Sequence, residues 1–319
     1  MLQALVSTAT QFLGEFNRTL FRPRGLLVRS APLVNPSIPS YQSLQRVVLT
    51  DGVARTLFEE FLAHRNEARG EEETGWVLLG LREANEALVL ATLPAGAKRD
   101  ASVAHVLFNS NAQALGSRII RQTDRRIKML GVVHTHPGSL RHPTHADFQG
   151  DSEWVKHLRG GEGVFGIGTA DAISDGEVLV AHQPKPHVQC LGELRLSWYS
   201  LRFGASDYRP IALELTIGPD LARPLHDLWP TIEHHAERLD RLARQQANVR
   251  FDIVKEEGEL KLGMRIPLSE PYEYLQVILN DQKIRYMVAR EGQVFFVQHY
   301  EPCVDRGVYL LLAELAAKG

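Results

Sequence analysis

From residue 46 onward, apolar and polar positions divide the chain into short elements. "RVVLT", "GWVLLGLR" and "EALVLATLP" are apolar runs of strand length. Between the first two, Val53, Leu57, Phe61 and Leu62 recur at helical spacing and predict a helix over roughly residues 52–68. The loop "AGAKRD" leads to a strand in "SVAHVLFNS", and a helix follows near "AQALGSRIIRQTDR". The run "IKMLGVVHTHP" predicts a buried strand that Pro137 must end, because proline has no N–H for a sheet ladder. A helix then starts at Thr144, with the acidic Asp147 three residues on in a capping pattern and a stop at Gly160–Gly161. "GVFGIGTAD", "EVLVAH" and "HVQCLGELRLSWYSL" read as further strands. Strands alternating with helices predict an α/β or α+β layer domain over residues 45–203.

The rest of the chain has a different rhythm. "TIEHHAERLDRLARQQA" is a charged helix with Ile232, Ala236, Leu239 and Ala243 on one stripe. Five short strands follow, separated by turn residues. In one of them Leu260, Leu262, Met264 and Ile266 alternate with Lys261 and Arg265, and a last helix runs through "RGVYLLLAELAA". Residues 204–319 therefore read as a second, antiparallel α+β domain, expected either to recognise a partner or to cover an apolar face of the first. At the other end, Leu2, Leu5, Val6, Ala9, Leu13, Phe16 and Leu20 form an amphipathic helical pattern, followed by a segment rich in proline and serine. Residues 1–44 are thus expected to be a helix and an extended arm. The helix's polar face is not basic, which favours docking on protein over a membrane surface.

Composition narrows the function classes. A chain of 319 residues, 44% hydrophobic, can bury the cores of about two domains. With 36 basic and 38 acidic residues and a net charge of -2, it shows no nucleic-acid footprint. A protein or small-molecule partner is expected instead. Only Cys190 and Cys303 occur, far apart and outside any CxxC pair, which argues against a disulfide framework and a cysteine-rich zinc site and suits a reducing cytoplasm. No apolar run reaches the roughly 18–20 residues of a spanning helix, and the start lacks a basic n-region, so neither a membrane span nor export is expected.

Candidate chemistry is concentrated in "GVVHTHPGSLRHPTHADFQGD", residues 131–151. Residues i and i+2 of a strand face the same way, so His134 and His136 point together. Two imidazoles on one face are half a zinc site, and a catalytic zinc takes three protein ligands and leaves one position open. The helix that follows offers an acid: Asp147 in its first turn, where the dipole favours a carboxylate, or Asp151 one turn further on the same face. His142 and His145, in the loop and at the helix start, read as solvated side chains.

From His134 to Asp147 the chain follows H-x-H-P-x6-[ST]-x2-D, which resembles the signature of the JAMM (MPN+/JAB1) metalloproteases, a family that includes deubiquitinating isopeptidases. An earlier stretch, "ETGWVLLG", places Glu73 seven residues before Gly80, similar to that family's E-x-x-G-x-L-x-G pattern. The resemblance implies an MPN/JAB domain with a mixed central sheet flanked by helices. It further implies Zn2+ held by His134, His136 and Asp147, Glu73 as the general base, and Thr144 in the place of the usual serine as donor to an oxyanion. Trp76 stands where the family commonly has glycine, so its ring is expected either to reshape the cleft or to pack beneath it.

By the same resemblance the substrate is an amide after the C-terminal glycine of a ubiquitin-like protein, as in bacterial conjugation systems, with activating and conjugating enzymes as further partners. A strand beside the metal-bearing one would hold the extended tail by strand addition, and residues 102–109 are the candidate, with an ordinary core strand as the alternative. Two other classes stay open: a non-catalytic MPN scaffold, which typically lacks the ligand set, and a zinc amidohydrolase acting on a small molecule or sulfur carrier.

Overall fold

A computed structural model describes residues 41–318 except 97–99, 102–105, 173–179, 247, 271 and 282. The helix and most of the arm expected over residues 1–44 lie outside the described residues, as does much of the strand expected in "EVLVAH".

The first strand, β1 (Arg46–Thr50), runs into α1 (Asp51–Arg65), whose N-terminus is capped by the Thr50 hydroxyl accepting from the Val53 N–H. β2 (Gly75–Arg82) and β3 (Glu86–Pro94) pair antiparallel. After a separate two-stranded ribbon of β4 (Asp100–Ala101) and β5 (Val106–Leu107) come α2 (Ser110–Ile120) and β6 (Lys128–Thr135). The described part of residues 102–109 is thus no strand of the main sheet. α3 (His145–Trp154) leads by two short 3-10 turns to β7 (Glu162–Thr169), which pairs parallel to β6.

The apolar stretch from residue 187 to 201 is not one strand. It folds into a hairpin of β9 (Val188–Leu191) and β10 (Leu194–Arg202), turned at Gly192 with φ 57, beside the short β8 (His182–Lys185). β11 (Arg209–Pro210) and β12 (Ala212–Thr216) follow. The strand order is β12-β1-β3-β2-β6-β7-β10-β9-β8, with β11 on β10, a mixed sheet as expected.

That order moves the domain boundary expected at residue 203. β12 pairs parallel with β1 from Arg46↔Ala212 to Thr50↔Thr216, and β11 pairs with β10, so the sheet is finished by residues beyond the boundary. The physical reason is that β1 would otherwise present an unpaired edge. A polar link reinforces this seam. Asp220 accepts from the Thr92 hydroxyl at 2.5 Å, and His226, ending the short α4 (Arg223–His226), approaches Glu60 Oε1 at 2.5 Å and the Thr92 carbonyl at 2.7 Å.

Beyond it, α5 (Trp229–Gln245) packs on α2. Gly116 permits this approach, because an added Cβ would lie 3.1 Å from the Trp229 ring. The antiparallel sheet of β13 (Arg250–Glu256), β14 (Glu259–Pro267), β15 (Tyr274–Asn280), β16 (Lys283–Arg290) and β17 (Gln293–Val297), with α6 (Val304–Lys318), forms as its alternation predicts. Its inward residues, Leu262, Met264, Val277 and Val288, share one apolar core with Val77, Leu79, Leu115 and Phe165 of the first sheet and helix layer. Each such side chain, fully buried, contributes about 1.5–3 kcal/mol, so the C-terminal third is built into the core that backs the site.

Both His226 nitrogens face acceptors, which only the imidazolium satisfies. Burial opposes its charge, but the bond to and field of Glu60 outweigh this and raise its pKa, while the same pairing holds Glu60 below the usual carboxylate range against its own burial. With a folded pKa above the ordinary ~6.5, the contribution of His226 is complete below that pH and is lost as pH rises through the folded value. Unfolding followed from pH 6 to 9 should therefore show a smaller alkaline loss of stability in His226→Gln than in the parent protein. An identical pH slope in both would refute the pairing.

Candidate metal centre

The alternation of β2 and β6 decides what faces what. In β2, Val77 and Leu79 belong to the core shared with α2 and the C-terminal sheet, whereas Trp76 and Leu78 belong to a second core under α1. In β6, Val132 lies on the first side and Val133 on the second. Continuing the period of two puts His134 and His136 on the first side, with Thr135 turned to the other, where its methyl lies beside Gly168. Gly75 pairs with His134 in register, and the ladder extends through Thr135 N–H to Thr74 O at 2.9 Å. Glu73, two residues before Gly75, therefore shares the face of the histidines. It is buried at 4% exposure, and its negative charge helps raise the pKa of His134.

The same alternation resolves Trp76. It is 2% exposed, packs under α1 and donates its indole N–H to Glu60 Oε2 at 2.7 Å. It packs beneath the sheet, on the side away from the histidines, and does not shape the cleft.

Gly75 has a steric task at this point. A Cβ there would lie 2.6 Å from Val133 O and 3.0 Å from the Phe108 ring. Glycine lets β2 close on the strand that carries the histidines.

His136 follows the end of β6, held by its N–H to Gly168 O at 2.8 Å. Its Nδ1–H donates to Leu140 O at 2.8 Å, which leaves the Nε2 lone pair free to bind a cation. That Nε2 lies 3.0 Å from His134 Nε2. Asp147 completes the group, with Oδ1 3.3 Å from His134 Nε2 and Oδ2 3.4 Å from His136 Nε2. Among the described residues this is the group of histidine and acid side chains that could hold a metal ion.

The separations test the fit. Bonds of roughly 2.0–2.1 Å to a tetrahedral zinc place ligand atoms roughly 3.3 Å apart, which is the spacing seen here. The donor set, two neutral imidazoles and a carboxylate, also suits that ion. Without a cation, burial opposes a proton on His134, but the bond it donates to Asp147 and the charges of Asp147, Glu73 and Asp151 favour one and raise its pKa. Asp147 is itself buried, yet the two histidines and the Thr144 N–H hold its carboxyl far below the usual range. The site is built for positive charge.

Thr144 has a local task in the structure. It caps α3 reciprocally with Asp147: its hydroxyl accepts from the Asp147 N–H at 3.1 Å and donates to Asp147 Oδ2 at 2.8 Å, and its own N–H donates to Oδ2 at 2.6 Å. In this arrangement the hydroxyl proton is taken up by the ligand's Oδ2. The two bonds to Oδ2 leave Oδ1 as the less engaged oxygen.

Asp151, the alternative third ligand, stands apart. Its carboxylate accepts from Tyr208 Oη at 2.7 Å and Trp154 Nε1 at 3.1 Å, and burial pushes its pKa up to about 6. Of the loop histidines, His145 is exposed, as expected, whereas His142 meets Tyr199 Oη at 2.8 Å. Tyr199 and Tyr208 were invisible to motif reading because they lie more than fifty residues downstream.

Residues 54–178 match the family model of prokaryotic homologs of the JAB domain. Among solved structures, the protein DSY2949 from Desulfitobacterium hafniense is similar at 18% identity, covering 55% of this chain and 95% of its own, with a TM-score of 0.35. No curated protein matches the chain. No helix among the described residues is long and apolar enough to cross a membrane. With the two histidines, the proline after them and the capping aspartate all inside the matched segment, residues 54–178 are a JAB domain of the prokaryotic kind, within the JAMM/MPN family.

Proposed function

We propose that this protein is a zinc-dependent peptidase that hydrolyses the amide after the C-terminal glycine of a ubiquitin-like protein. The observation that carries the reading is the grouping of His134 Nε2 and His136 Nε2, 3.0 Å apart, with the Asp147 carboxylate, whose Oδ1 lies 3.3 Å from the first and Oδ2 3.4 Å from the second, and the buried Glu73 on the same face. His134 Nε2, His136 Nε2 and an Asp147 oxygen would hold the ion. Zinc, when bound, supplies Lewis-acid activation of water at neutral pH.

The chain's own residues do the rest. Glu73 accepts a proton from the attacking water and returns it to the departing amine, so that one water is consumed and a carboxylate and an amine are released. The Leu140 carbonyl keeps His136 in the tautomer that presents Nε2. Thr144 orients Asp147 through the helix cap. A complete ligand set with a buried acid beside it favours an enzyme over the scaffold reading, since a scaffold has no use for either.

The test is hydrolysis by the zinc-loaded protein of two coumarin amides, one on the C-terminus of ubiquitin and one on glycylglycine. Release of coumarin from the ubiquitin amide, abolished by a chelator and restored by zinc, is expected. Turnover of the glycylglycine amide alone would point to the small-substrate amidohydrolase, and turnover of neither, at full zinc occupancy, to the scaffold.

A further inference from the structure

The segment carrying the third ligand buries little of its own surface, and its Arg141 side chain pairs with Asp171 at 2.7 Å. No residue of α3 is buried, and Gly138, Ser139, Leu140 and His142 ahead of it are exposed. Yet Asp147 must meet two imidazoles fixed at the end of a central strand, and metal sites are defined to within about 0.2 Å. Backbone preference alone does not hold a loop and a short helix to that tolerance.

Two phenol hydroxyls from outside the family-matched residues add restraint to that of the Arg141–Asp171 pair. Tyr199 lies in β10 at 3% exposure, and its Oη donates to Arg141 O at 2.9 Å. That bond uses its proton, so in the 2.8 Å contact the His142 Nδ1–H is the donor. The loop between His136 and Thr144 is thereby tied at two successive residues. Tyr208, just past β10, ties the helix: its Oη donates to Asp151 Oδ2 at 2.7 Å, while Trp154 Nε1 donates to Oδ1. Asp151 is one turn beyond Asp147 on the same helical face. The Tyr208 ring is fixed in turn edge-to-face against Phe165 at 5.4 Å and Phe148 at 6.0 Å.

We propose that Tyr199 and Tyr208 are positioning residues of the metal centre, holding the loop and helix of residues 138–151 so that Asp147 meets His134 and His136. This rests on the metal reading above. Neither phenol belongs to the ligand set; each acts through a residue that does not itself bind the ion. It follows that the segment beyond residue 203, through Tyr208, contributes to the site as well as to the sheet.

The test uses full-length Tyr199→Phe, Tyr208→Phe and Asp151→Asn, with His136→Ala as the control. Zinc affinity is measured by competition with a chromophoric chelator, and ligand geometry by the visible absorption bands of the cobalt-loaded protein. Losing an outer partner of a metal ligand typically weakens binding about 10–100-fold. The phenols act one residue further out, so a several-fold loss with altered cobalt bands is expected for Tyr208→Phe, and a similar one for Tyr199→Phe. A merely structural role would lower thermal stability but leave the cobalt spectrum unchanged. If Tyr208→Phe does not fold, Asp151→Asn carries the same expectation with the ring in place. Wild-type affinity and spectrum in the tyrosine variants, with zinc lost in His136→Ala, overturn this inference alone. Zinc retained in His136→Ala as well overturns the metal reading on which it rests.

Discussion

Glu73→Gln is expected to keep its zinc and its fold while losing hydrolysis by a factor of about 10² to 10⁴, the range that removal of a general acid–base group costs. The substitution preserves the shape of a buried side chain, 4% exposed, and removes its ability to take a proton. Glu73 is singled out by the strand period, which places it on the face of His134 and His136, and by the effect of its charge on His134. Its neighbour Glu72 points elsewhere: it accepts from Arg69 Nε at 2.8 Å and retains about a third of its side-chain exposure, 30%. The measurement is kcat on the ubiquitin amide together with zinc content. Activity within a few-fold of wild type would remove Glu73 from the mechanism and make Glu72 the next residue to test.

His136→Ala is expected to take the bound zinc from about one per chain to nearly none after dialysis. The variant lacks one of three protein ligands, and Asp147 loses one of the two histidines that, with the Thr144 N–H, hold its carboxyl down. The deleted ring is also the one whose Nδ1 is tied to Leu140 O, so the loop loses a tether along with the ligand. The loss in affinity should exceed the roughly 10–100-fold that outer partners contribute. Metal content by atomic emission decides it, and unchanged zinc would end the assignment of this site.

Much of this protein was legible before any tertiary structure. The period of two in "VVHTH" places two imidazoles together whatever the strand pairs with, and proline after them forces the strand to stop. The Thr144–Asp147 spacing is a local capping rule, and α3 begins where that rule puts it. The alternating residues of the C-terminal strands likewise foretold their antiparallel sheet, because turn and pleat are properties of neighbours in sequence.

What the sequence did not determine was anything that depends on partners far apart along the chain. Periodicity tells that β1 is a strand but not that its open edge is closed by residues 212–216, so a boundary at 203 falls short of the end of the sheet. It separates the two faces of β2 but does not say which holds the ligands, so the place of Trp76 waited for the register of β2 on β6. A hydroxyl's single proton goes to its nearest acceptor, and only the folded helix cap revealed that for Thr144 this is Asp147. The tyrosines that tie the ligand segment lie 57 and 58 residues from their partners. Local spacing carries the chemistry of the residues that touch a metal. The groups that hold those residues in place are recruited through space, where sequence distance has no meaning.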